Sequence, residues 1–224
     1  MARSAHTRPR RILAAERVRA PRAPRVAADP RSPRRRAAAR GDGGTAGEPP
    51  APLPRVILQR PSAGYLHPAS RGDVVQLLRL LGDACSYGLR AVVLARGPAA
   101  EWGGGLLLGR LLVPGQIVLF PQPPPPWRLA GRLSATTRAR LERAGARVEL
   151  AGGGAQTLVA WPDDALRALM LFDVLAHEIG HHLLQQYAGK RQVRAARTRE
   201  HEAFAARFAE RSRLQYWPRL REQV

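Results

Sequence analysis

Cysteine and lysine are almost absent from this 224-residue chain. Cys85 is the only thiol, which excludes an internal disulfide, a zinc ribbon and any thiolate cluster. It continues the apolar stripe Val74, Leu77, Leu78, Leu81, so it reads as a small core hydrophobe rather than a catalytic thiol. Lys190 is the only lysine, so the 37 basic residues are nearly all arginine. Composition can impose that bias, and arginine by itself does not argue for guanidinium chemistry. Long apolar runs are missing too. No segment reaches the roughly 20 apolar residues that cross a bilayer. Met1 to Arg25 lacks the apolar block of a secretory signal, and Arg10-Arg11 sits in a poor context for twin-arginine export. The expectation is a cytoplasmic protein with no membrane span.

Acidic residues are scarce as well, 17 against those 37 bases, a formal net charge of +20. The excess is uneven. Residues 1–55 carry 14 arginines against four acids. Residues 1–53 alternate Arg, Ala and Pro and offer little to bury, so they cannot offset the entropy of ordering. The expected organisation is a disordered basic tail over 1–53 and one folded domain over 54–224. A basic tail can contact nucleic acid or another anionic partner; a plain solvated tail is an equally good reading.

Order is expected from about Pro54. Val56 to Leu58 reads as a strand, then Asp73 caps a helix running to about Tyr87 with Gly88 as its stop. Ala91 to Ala95 is a β-branched strand. Leu106 to Val113 and Gln116 to Phe120 flank Pro114-Gly115 and read as a hairpin. Pro121 to Trp127 is a stiff extended segment. Ser134 caps a helix to Ala144, and Arg147 to Leu150 and Gln156 to Trp161 read as further strands. Asp163 is placed to cap a helix to Tyr187, apolar nearly all round from Ala165 to Ala176 and therefore central to the domain. A last helix is expected from about Gln192 to Leu214, ahead of Trp217-Pro218.

Within the central helix, His177-Glu178-Ile179-Gly180-His181 spell HExxH. Four residues advance a helix by a little over one turn, about 6 Å. Both imidazoles then leave one face, one above the other, and can share a metal ion. Glu178 lies beside that face, where it can accept a proton from water that the metal activates. Histidine is scarce, yet three of the six copies fall between 177 and 182. The competing explanation is a buried helix whose histidines only hydrogen-bond within the core. His182 points away from the other two and reads as non-ligating. Asp173, one turn before His177, suits either orienting that imidazole or neutralising an arginine.

Two histidines leave zinc short of a tetrahedral shell, so a third protein ligand is needed, with water in the fourth place. Glu200, His201 and Glu202 are the nearby candidates. Glu202 is favoured because Ala205, Ala206 and Ala209 follow it on one helical face, and a face of alanines can approach Gly180 closely. His201 reads as a surface histidine, or as a group that supports a ligand or stabilises the oxyanion, a role for which Tyr187, Tyr216 and several arginines are also candidates. The three-histidine pattern is excluded, since Leu184 and Tyr187 stand where it requires glycine and histidine.

The motif followed by Glu202-Ala203-Phe204-Ala205-Ala206 resembles the zincin metallopeptidases of the gluzincin type, in particular the ImmA/IrrE-like peptidases. The resemblance spans about residues 156–210. It implies zinc on His177, His181 and Glu202, with Glu178 as catalytic base in peptide hydrolysis. Ala206 departs from it, standing where that family usually has Asn or Asp. The expected fold is α+β: a small mixed sheet, the motif helix packed beneath it and the third-ligand helix alongside. The expected substrate is a polypeptide, which would pair with the Gln156–Trp161 strand if that strand lies at a sheet edge. The alternative is a nucleic-acid-associated or regulatory protein on an inactive zincin scaffold.

Overall fold

A computed structural model describes residues 53–98, 107–112, 114–187 and 198–222. The expected tail, 1–53, lies almost wholly outside them. Two small sheets replace the single one expected. The first is mixed. Strands β1 (Arg55–Leu58) and β2 (Ala91–Leu94) run parallel, with Val56 opposite Val92. Helix α1 (Arg71–Leu81) makes the crossover between them. Its cap is Ser70, not Asp73: the Ser70 side chain accepts from the Asp73 N–H, while the Asp73 carboxylate accepts from the Ser70 N–H at 2.7 Å. The helix stops early because Gly82, at φ 76°, turns the chain out of helical geometry; a single turn, α2 (Asp83–Ser86), follows.

Strands β3 (Gly109–Leu112) and β4 (Gln116–Leu119) form the expected hairpin, and β4 runs parallel to β2. The order β1-β2-β4-β3 leaves β3 at an edge. The second sheet is antiparallel. It contains β5 (Trp127–Ala130), β6 (Arg147–Ala151) and β7 (Gln156–Ala160), in the order β5-β7-β6. Strand β7 is thus central, with both edges paired, and the expected peptide-pairing edge is not there. Helix α3 (Ala135–Arg143), capped by Ser134, joins β5 to β6.

The central helix runs in three stretches: α4 (Ala165–Ala168), a π-helical segment (Leu169–Ala176) and α5 (His177–Tyr187). Asp164 is its N-cap position; Asp163 sits one residue outside at φ 46°. Every residue of the π segment except Asp173 is buried, as an all-round apolar sequence requires. The segment packs against β3 and β4. At Gly109 the approach is so close that a Cβ would lie 2.4 Å from Val174 Cγ1.

Helix α6 (Arg199–Arg221) packs along both the π segment and α5. It is capped by Thr198 and continues through Pro218 instead of ending near Leu214. Tertiary packing outweighs the proline. Leu220 is fully buried, and Trp217 meets Phe172 edge-on at 6.0 Å. Arg167 links three helices at this end. It donates to Asp73 Oδ1 at 2.6 Å and to the Leu220 carbonyl at 3.2 Å, and lies over the Trp217 ring. Burial pushes the Asp73 carboxyl up, but hydrogen bonds from Arg167 and Ser70 outweigh it and hold it below the usual carboxylate range. Replacing Arg167 by Met leaves that carboxylate without its cation. Asp73 keeps its bond from Ser70, so the expected loss is about 2 kcal/mol. It is read as a lower urea midpoint at unchanged slope; a midpoint shift under a quarter of that size overturns the assignment.

Candidate metal centre

Helix α5 carries His177 and His181 one turn apart, and their Nε2 atoms lie 3.1 Å from each other. The two rings are nearly perpendicular, at 82°, with centroids 4.8 Å apart. From the first turns of α6, Glu202 presents Oε2 at 3.3 Å from His177 Nε2 and Oε1 at 3.4 Å from His181 Nε2. Among the described residues these three form the one group of metal-ligating side chains with mutually close donor atoms. Bonds of 2.0–2.1 Å in a tetrahedron place neighbouring donors about 3.3 Å apart. The observed spacings fit that figure, and two imidazoles with one carboxylate fit the donor set of a three-ligand zinc site.

Small residues make this convergence possible. A Cβ on Gly180 would lie 2.8 Å from the Ala205 Cα, so α5 and α6 meet backbone to backbone between the ligands. Ala205 and Ala209 are buried in that contact region, whereas Ala206 is exposed. Phe204 and Phe208 pack on the core from a neighbouring stripe.

Glu178 is buried, and its Oε2 accepts from the Leu111 backbone N–H at 3.0 Å. Leu111 belongs to the edge strand β3. The Phe120 N–H bonds the Leu108 carbonyl, so the alternation of an antiparallel ladder turns the N–H and C=O of Gly109 and Leu111 away from β4. A cleft of about 150 Å³ separates that edge from the ligands; Gly109, His177, Glu178 and Glu202 all line it. The edge beside the site is therefore β3. Its hairpin was readable, but strand order across the sheet was not.

The remaining candidates do not join these three residues. Glu200 is exposed in the first turn of α6, and His201 is half-buried with its N–H on Thr198 Oγ1. Tyr216 packs against the core, and the Tyr187 side chain lies outside the described residues. His182 is buried and bonds the Tyr87 carbonyl at 2.9 Å. A carbonyl only accepts, so His182 Nε2 carries the proton. Burial lowers its pKa below the ordinary histidine value, with the Tyr87 carbonyl opposing. Asp173 pairs with Arg213 at 3.2 Å, which is the arginine-neutralising role of the two that its position allowed. Burial raises its pKa, with Arg213, Arg140 and Arg143 pulling the other way.

No helix among the described residues is long and apolar enough to cross a membrane. Comparison of the chain with protein-family models, with curated proteins and with solved structures finds no match.

Proposed function

We propose that this chain is a zinc-dependent peptidase of the zincin type, akin to the ImmA/IrrE-like peptidases that its motif resembles. One observation carries the reading. Three donors from His177, His181 and Glu202 converge at tetrahedral spacing, with the carboxylate of Glu178 on the helix of the two histidines. His177, His181 and Glu202 would hold the zinc, which would supply a Lewis acid able to activate water and polarise a carbonyl. Glu178 accepts the proton of the attacking water and delivers it to the leaving amine. The Leu111 N–H fixes where that carboxylate points. Strand β3 supports a polypeptide substrate: the outward groups of Gly109 and the Leu111 carbonyl offer an extended chain a partner edge beside the ligands.

The test is metal analysis joined to hydrolysis. The purified full chain is expected to hold about one zinc. It is expected to cleave extended peptides, to stop when a chelator strips the metal, and to resume on adding zinc. A chain that keeps its zinc and cleaves none of a broad peptide library overturns the peptidase reading.

A further inference from the structure

A second cleft, of about 470 Å³, adjoins the first and shares Arg140, Asp173, His177 and Glu202 with it. The last two belong to the metal centre. Arg140 and Arg143, on the last turn of α3, and Arg213, on α6, line it as well. Its volume suits one or two amino-acid residues. Ala206 and Leu214 add exposed apolar surface.

Three arginines and three carboxylates line this cleft, but not all of them are available to one another. Its carboxylates are Asp173, Glu202 and Glu210. Asp173 pairs with Arg213 and also feels Arg140 and Arg143, and Glu202 belongs to the ligand set, which leaves Arg140 and Arg143 facing Glu210, two positive charges against one. Arg140 donates to a backbone carbonyl, that of Asp173, at 3.3 Å. Arg143 has no ion pair among the described residues. Arg140 and Arg143 stand three residues apart, on one face of α3, so their forks can act together. A guanidinium fork matches a carboxylate in shape and charge, and pairs with it through two parallel hydrogen bonds. In an arginine-rich chain a surface arginine means little. A pair from one helix, lining a concave site that also contains two of the ligands, is a different matter.

We propose that this cleft recognises a carboxylate on the substrate, with Arg140 and Arg143 setting the preference. The inference rests on the peptidase reading of the same centre and adds the substrate class. The carboxylate has two sources, an Asp or Glu side chain near the scissile bond or the free C-terminus of the peptide.

Binding is measured by calorimetry on the zinc-loaded, full-length Glu178→Gln protein. The probes are peptides of one sequence: a C-terminal amide with Gln, the same amide with Glu in its place, and the Gln peptide with a free C-terminus. At least one carboxylate peptide is expected to bind about 10-fold tighter than the neutral amide, the scale of a charge-assisted pair. The arm that gains identifies the source. Arg143→Gln or Arg140→Gln should remove the preference, and Arg143→Lys should restore part of it. Arg55→Gln, on the strand at the opposite edge of the sheet, should leave it intact. Equal binding of all three peptides overturns the proposal, and so does loss of preference in Arg55→Gln, which would mark a diffuse effect of net charge. The two readings separate cleanly. Preference without any hydrolysis by the wild-type protein sinks the peptidase but leaves the carboxylate-recognising cleft. Hydrolysis without preference sinks the cleft alone.

Discussion

Glu178→Gln is expected to keep the metal and lose the reaction. Glutamine fills the same volume, and its carbonyl oxygen can take the Leu111 N–H that now holds the Glu178 carboxylate at 3.0 Å. The side chain is buried, so this bond and the surrounding packing decide its position. Glutamine has no basic oxygen at neutral pH. General-base assistance is thereby removed while the geometry stays, and a fall in kcat of about 10²–10⁴-fold follows. Zinc content should be unchanged, because Glu178 is not among the three converging donors. The thermal midpoint should move little. Two measurements on one preparation decide the matter, zinc per chain and the rate with a saturating peptide. A variant within about threefold of the wild-type rate removes Glu178 from the role of base.

The centre was readable from sequence to the extent that it is local. His177 and His181 follow from helical spacing alone. Glu202 follows from the alanines that continue its stripe, because only small residues permit the approach that Gly180 makes to Ala205. Long-range partners left no such trace. The Leu111 N–H is 67 residues from Glu178, and no periodic pattern announces which strand will present it. Strand order is likewise a property of the whole sheet. An alternating run at Gln156–Ala160 looks the same whether its neighbours number one or two, and here there are two. The π segment escaped for a related reason. A stretch apolar on every side carries no phase from which to tell one helical period from another. Helix ends were missed where local and tertiary preferences disagree. Pro218 suggests a stop, yet Trp217 on Phe172 and the buried Leu220 carry α6 past it.

The meeting of α5 and α6 leads to the second large effect. Gly180→Val is expected to dismantle the centre without touching a ligand. The first carbon added would lie 2.8 Å from the Ala205 Cα and 3.3 Å from its Cβ. A backbone atom of a packed helix cannot swing aside as a flexible side chain does, so the helices must part. Glu202 moves away with α6, and the two imidazoles keep a site short of its third donor. Loss of one donor out of three should weaken zinc by at least about 10²-fold, the upper end of what removal of a mere supporting contact costs. Glu202→Ala should weaken it to a similar degree, by deleting the carboxylate directly. Stability separates the two variants. Wedging a buried contact costs about 1–3 kcal/mol in the metal-free protein, whereas truncating the half-exposed Glu202 should cost far less. Gly180→Ala makes the sharper test. In an exposed helix that change stabilises by about 1 kcal/mol, and here the contact with Ala205 should reverse its sign. A Gly180→Ala protein that binds zinc as tightly as the wild type, and melts higher, would show that the helices do not meet at this point, and the third ligand would have to be sought elsewhere.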